Sequence, residues 1–144
     1  MLASAPSEED TMNYWLKSIG SAGDELDGNW LRSRRDLLDQ VRFATNKRPS
    51  GIARGDRLVL YAAGWERFYG VAIVTSTESR EDPREKRWPW VLDVTVPLVV
   101  PKLELAPRLH EMSVASTSVR QQSHIALTRG QFEQALAALT GLVD

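Results

Sequence analysis

The period of apolar and polar positions changes several times along the 144 residues. Residues 1–11, MLASAPSEEDT, are small, polar and acidic, and predict a frayed end. MNYWLK (12–17) is apolar and aromatic enough for a short strand. GSAGDELDGN (20–29) mixes glycines and acids without any period and reads as a loop. From Ser33 a helix is expected, with Ser33 as its cap, Asp36 three residues on, and Leu37, Leu38 and Val41 along one face. TNKRPSGIARGD (45–56) is a basic loop punctuated by Gly and Pro. The clearest β signal follows: RLVLYAA and FYGVAIVT, separated by GWER, predict a hairpin.

After the charged loop ESREDPREKR (78–87) the alternation resumes. Trp90, Leu92, Val94 and Val96 fall on one side of a strand, Asp93 and Thr95 on the other, and Pro97 and Pro101 bracket its end. APRLHEM predicts a short helical turn and SHIALT a last strand. Thr128 and Gln131 form a capping box for a final helix whose apolar face is Phe132, Ala135, Leu136 and Leu139, stopped by Gly141. Neither internal repeats nor a dividing linker appear, so residues 12–144 read as a single domain. The expected class is α+β, with a mostly β core in a curled sheet or small barrel and helices packed outside.

Composition narrows the function classes. A formal net charge of −1 argues against attachment to nucleic acid by bulk charge alone. The distribution differs from the sum: from Trp30 to Arg57 eight basic residues (Arg32, Arg34, Arg35, Arg42, Lys47, Arg48, Arg54, Arg57) face only Asp36, Asp39 and Asp56, a local excess of five positive charges. With no cysteine, disulfides, thiolate nucleophiles and Cys-type zinc sites are excluded. Two histidines, His110 and His124, are too few for a His-based metal site unless carboxylates complete it, and neither metal nor cofactor is expected. No run approaches the roughly 18 apolar residues of a membrane span, and the first residues lack a signal-peptide core, so a cytoplasmic protein is the default.

Five tryptophans are the main chemical feature. Trp90 lies in phase with the buried side of its strand and reads as core. Trp15 alternates with Tyr14, so one of the two belongs to the core and the other faces outward or into a cleft. Trp30, Trp65 and Trp88 stand among Gly, Pro and charged residues. Each alone is a plug over the core edge more often than a ligand contact, but three together point to a shared recognition surface. A stacked base is worth about 1–3 kcal/mol, and a ring face also attracts methylated or cationic groups. Arginines beside Trp30 have the composition of a surface that holds phosphates while a base stacks, although a solvated helix face fits them equally well. Lys17 could have a lowered pKa if buried, with Ser18 or Glu25 as partner, but a strand-end lysine in solvent is the commoner situation. Arg120, Gln121, Gln122, Ser123 and His124 precede an apolar segment and could read a ligand edge, against an ordinary polar turn as the slightly favoured alternative.

In order and spacing, YWLKS, ELDGNW, GDRLVLYAAG…FYGVAIV, WPWVLDV and SVRQQSHIALT followed by a helix resemble EVE domains, members of the PUA-like superfamily related to YTH domains. The likeness spans roughly residues 12–140. It implies a PUA-like curled β-barrel of about five to six strands flanked by helices, with a pocket at one rim that takes a modified, typically methylated, base of DNA or RNA. By that resemblance Lys17 and Ser18 end the first strand beside the pocket, close to Trp15. Trp30 is the first cage tryptophan, Trp88 the second with Trp65 in reserve, and Asp24 the group that reads the base edge. Gln121 and Ser123 line the pocket, while Arg32, Arg34, Arg35 and Arg120 meet the backbone. The chain departs from the family's KSEP by reading KSIG at 17–20.

The leading expectation is therefore a non-enzymatic reader of a modified base, taken from single-stranded nucleic acid or flipped from a duplex at a cost of a few kcal/mol. The alternative is a small hydrolase of the ASCH type, a PUA-like relative, acting on modified nucleosides through Lys17 with Glu25. A third class is an interaction domain whose tryptophans bury against a protein partner.

Overall fold

The computed structural model describes residues 12–19, 39–44, 47–49, 51–62, 65–115 and 124–141. Seven strands run in chain order: β1 (Tyr14–Ile19), β2 (Gln40–Phe43), β3 (Arg57–Ala62), β4 (Arg67–Val74), the two-residue β5 (Arg80–Glu81), β6 (Trp90–Val99) and β7 (His124–Leu127). Two 3-10 turns, Leu103–Leu105 and Leu109–Met112, follow β6, and the helix α1 (Arg129–Thr140) ends the described chain. Together they form a mixed sheet in the order β2-β6-β4-β3-β1-β7, with β5 against β6. The α+β curled barrel anticipated from the sequence is the observed class.

β1 and β3 run parallel, from Tyr14 opposite Arg57 to Ile19 opposite Ala62, whereas every other pairing is antiparallel. β3 is buried from Leu58 to Ala62, as a central strand covered on both faces must be. β3 and β4 form the predicted hairpin, with Glu66 in the left-handed region (φ 55°) at its turn. Two bulges bend the sheet. Leu60 pairs with Gly70 and Tyr61 with Phe68, which leaves Tyr69 as an extra residue. Farther on, Val71 pairs with Leu98 and Ile73 with Thr95, so Val96 and Pro97 together oppose Ala72. Pro97 therefore does not end β6; a bulge is where a strand tolerates a residue without an N–H. Gly70 is needed at the tight approach of β4 to β6, because a Cβ there would lie 2.7 Å from the Leu98 carbonyl oxygen.

The curl brings the two ends of the sheet together through side chains. Phe43, on the β2 edge, stands perpendicular to the ring of His124, on the β7 edge, with centroids 5.2 Å apart. On the opposite face of β1, Tyr14 stacks on Phe132 of α1 at 4.6 Å, and Ala135 and Leu139 complete the buried side of that helix. Thr128 caps α1 in the predicted capping box with Gln131. Leu136, assigned to the apolar face, is an exposed large hydrophobic residue.

Val41 corrects the helix expected from Ser33. It is a fully buried strand residue of β2, opposite Leu92, and the rest of that expected helix lies outside the described residues. No described helix is long and apolar enough to cross a membrane.

Candidate functional site

β1 alternates as a strand should: Tyr14 points toward α1, while Trp15 and Lys17 point into the curl. Lys17 is only 4% exposed. The solvent-facing lysine that is commoner at a strand end is thus not what the fold provides. Its ammonium lies 4.6 Å from the centroid of the Phe43 ring and donates to the carbonyl oxygen of Ser18. No carboxylate among the described residues pairs with it. Burial without a counter-charge pushes its pKa from the ordinary 10.5 down to about 7.

Across the β1–β7 pair Lys17 sits directly opposite His124. His124 meets Trp15 edge-on at 5.6 Å and Phe43 at 5.2 Å. Burial, then the nearby charges of Lys17 and Lys47, hold its pKa below the ordinary histidine value. Phe43 pairs in turn with Trp90 across β2 and β6, and the guanidinium of Arg48 lies 4.6 Å over the Trp90 ring. The seam where the sheet closes is thus a cluster of aromatic rings and cations: Trp15, Phe43, Trp90 and His124 with Lys17, Lys47 and Arg48.

Trp15 is fixed rather than free. Its indole N–H donates to Asp56 at 3.0 Å, and its ring packs on Gly51. Asp56, 2% exposed, also accepts from the backbone N–H groups of Asn13 at 3.1 Å and Ala53 at 2.9 Å. Three donors make this buried carboxylate tolerable. Neither Asp56 nor Phe43 stood out in the sequence. Asp56 belongs to a Gly-Asp pair before a strand, which looks like any turn, and Phe43 sat at the end of an expected helix.

The remaining expected site residues are placed as follows. Ser18 contributes its carbonyl to Lys17. Trp65 lies in the β3–β4 turn, half-buried against the core beside Ala62, whose parallel neighbour is Ile19. Trp88 precedes β6. One face of its ring lies under the Arg87 guanidinium at 4.4 Å, and its carbonyl accepts from Arg42, which also ion-pairs with Asp82 at 3.1 Å. Arg42 is therefore occupied structurally within the basic stretch. Asp24, Trp30, Arg32, Arg34, Arg35, Arg120, Gln121 and Ser123, and Glu25 with them, lie outside the described residues.

Two cavities of about 520 and 500 Å³ open elsewhere, beside Met12, Tyr14 and Arg129. The larger touches Trp15 and Leu127, and the other runs between α1 and the outer face of the sheet at Val71, Ile73 and Leu98. Neither is lined by Lys17, Phe43 or His124. Among the described residues no group of three metal-ligating side chains occurs.

No family model and no curated protein sequence matches the chain. Solved structures do. A hypothetical protein from Leishmania major superposes with a TM-score of 0.60 at 15% identity, covering 94% of this chain and 98% of that one. A Rhodopseudomonas palustris protein gives 0.58 at 17% identity, covering 92% and 96%. The YTH domain of Zygosaccharomyces rouxii MRB1, solved in complex with N6-methyladenosine RNA, gives 0.53 at 12% identity, covering 89% and 86%. At these identities the likeness establishes a shared fold: the chain has the curled-barrel architecture of YTH domains.

Proposed function

We propose that the chain is a non-enzymatic, EVE-type reader of a modified base in DNA or RNA, acting in the cytoplasm. The observation that carries this reading is the cluster of rings and cations at the seam of a barrel whose fold is shared with YTH domains bound to N6-methyladenosine RNA. Flat apolar walls suit a planar base, and cations interleaved with them suit its phosphates. In this reading Trp30 is one wall of the cage and Trp88 the other, with Trp65 in reserve. Single-stranded nucleic acid is the favoured form, because it presents its bases without the cost of flipping.

The test is a tryptophan-fluorescence titration with single-stranded oligonucleotides carrying plain, 5-methylated or 5-hydroxymethylated cytosine, or N6-methyladenine, at two salt concentrations. Selective quenching by one modified base, lost in Trp30→Ala, is the expected result, and the salt slope counts the phosphates held. Equal weak quenching by all, unchanged in the variant, would reject the cage.

One observation favours a second reading. An amine with a pKa of about 7 is substantially neutral at physiological pH, as a nucleophile or general base must be. Turnover of acylated nucleosides, abolished in Lys17→Met while ligand binding persists, would establish a hydrolase instead.

A further inference from the structure

Trp90 and Phe43 stand directly opposite each other across β6 and β2. Residues paired in this way project from the same face of a sheet, so the Trp90 indole lies on the curl side with Phe43, next to the rings that close the seam. It is half-buried there, and the guanidinium of Arg48 covers it at 4.6 Å from the ring centroid. Arg48 is itself exposed, so the side of its guanidinium turned away from Trp90 faces solvent. Lys47 is exposed beside it, and its charge, after burial and Lys17, helps to hold the His124 pKa down. The two cations therefore stand at the mouth of the seam.

The loop that carries them is fixed by its neighbours. The Lys47 N–H donates to the Ala44 carbonyl at 2.9 Å, Pro49 is buried, and the Pro49 carbonyl accepts from the N–H of Ile52, a core residue. Arginines nearby are engaged with carboxylates: Arg42 and Arg84 with Asp82, and Arg80 with Asp93. Lys47 and Arg48 form no ion pair among the described residues. Contact with an indole occupies one face of a guanidinium and leaves its second face and its N–H edge available. Such a planar cation is a surface on which a nucleobase stacks, and it accepts any base, since every base has a π face.

Resting on the reader assignment above, we infer that Arg48 on Trp90 is a second stacking site, which takes the nucleotide next to the read base, with Lys47 on the phosphate that joins the two. Phe43 and Trp90 are one strand apart, about 5 Å, so a nucleic-acid strand that leaves the seam meets Arg48 at its next nucleotide. The site needs a base at that position and is indifferent to which base it is. The occupant is thus a single strand rather than a free nucleoside. Arg87 over Trp88 is a similar pair, but it belongs to the loop 78–87, whose four basic and four acidic residues cancel.

The experiment follows the fluorescence anisotropy of labelled single-stranded oligonucleotides, as DNA and as RNA. Each carries 5-methylcytosine, 5-hydroxymethylcytosine or N6-methyladenine at its centre. The neighbour on either side is a pyrimidine, an adenine or an abasic residue, and the proteins are wild type, Arg48→Met and Arg48→Lys. Arg48 is exposed and Met still covers Trp90, so both variants should fold, which circular dichroism verifies. For the modified base that the wild type prefers, removing the base on one side should weaken binding roughly tenfold, as for one stacked base, with pyrimidine and adenine neighbours alike. In Arg48→Met that effect should vanish. Arg48→Lys should keep the wild-type salt dependence without regaining the neighbour effect. Selective binding of a modified base with no dependence on either neighbour leaves the reader standing and overturns the inference. So does a neighbour effect that persists in Arg48→Met. A loss in Arg48→Met that is equal for intact and abasic neighbours, and that Arg48→Lys restores in full, makes Arg48 a phosphate contact and likewise overturns it. Binding without preference for any modified base, or no binding at all, removes the reader assignment and the inference together.

Discussion

Lys17 makes the stability of this fold depend on pH in an uncommon direction, and the effect can be worked from its surroundings. An amine whose pKa falls from 10.5 in the unfolded chain to about 7 in the folded one releases its proton on folding throughout that interval. The unfolded state binds more protons between the two values, so raising the pH through them favours the folded state. At about 1.4 kcal/mol for each tenfold change, the wild type at pH 7 carries a penalty of about 4 kcal/mol, and most of it is relieved by pH 10. Against a total stability of about 5–15 kcal/mol this is large.

The perturbation is Lys17→Met, which fills the same space beside Phe43 without a charge. The assay is urea unfolding of both proteins at half-unit steps from pH 7 to 10. Using the difference between them removes the titration of every other group. The range stops at pH 10 because burial pushes the Tyr69 phenol well above its ordinary 10, which opposes folding beyond that point. The variant should be more stable at pH 7 by up to about 4 kcal/mol, and its advantage should shrink by about 1 kcal/mol per pH unit. A difference that stays flat from pH 7 to 10 would refute the reasoning, since it would mean that the amine reaches water in the folded state. On the acid side His124 acts in the same sense: its depressed pKa makes the folded state lose stability as pH falls through 6.5.

Other expectations are simpler. Asp56→Asn replaces a carboxylate that accepts three N–H bonds with an amide whose NH2 must face one of those donors, and should cost about 2–4 kcal/mol in urea unfolding, with a changed near-ultraviolet signal from Trp15. Gly70→Ala forces a methyl against the Leu98 carbonyl at 2.7 Å, and should lower stability by about 1–3 kcal/mol, read as a fall in the urea midpoint. Thr128→Ala removes the cap of α1 and should cost about 1 kcal/mol, with faster amide exchange confined to the first turn of the helix.

What could be read from the sequence follows from where each signal resides. β3, β4 and β6 were legible because their apolar runs are long and their turns carry Gly, Pro or charge, so local pattern and tertiary role agree. The capping box of α1 was legible for the same reason. β2 was not: QVRF is four residues long, and Val41 follows Leu37 and Leu38 at a spacing that suits one face of a helix equally well. Pairing with β6, a contact 50 residues away, decides its state, and no local window contains that information. Alternation leaves open which of Tyr14 and Trp15 is core and puts Trp90 in it; all three are instead half-buried against the core, while Val91 is fully buried. The burial of Lys17 is not legible locally, because a lysine at a strand end is ordinarily solvated and the Phe43 ring against it comes from β2. Asp56 was invisible for a related reason, since its partners are an indole and two backbone groups, none of which advertises itself in sequence.

The position of Lys17 has a common cause with the shape of the sheet. In a barrel closed by backbone pairing, the strands on either side of the seam satisfy each other's N–H and C=O groups and side chains need only fill the interior. Here the sheet path begins at β2 and ends at β7, and what joins those ends in the described structure is Phe43 against His124 and Lys17. A seam held by side chains can admit another planar group with little disturbance of the ladder, which a hydrogen-bonded seam cannot. The same seam collects what the core elsewhere excludes: an unbalanced ammonium and a histidine held neutral. A sequence selected only for stability would put methionine at position 17 and gain several kcal/mol. Retaining the lysine there is destabilising, because its ammonium is buried beside the Phe43 ring with the Ser18 carbonyl as its acceptor among the described residues. The Lys17→Met variant should therefore gain stability near pH 7 and lose most of that gain by pH 10.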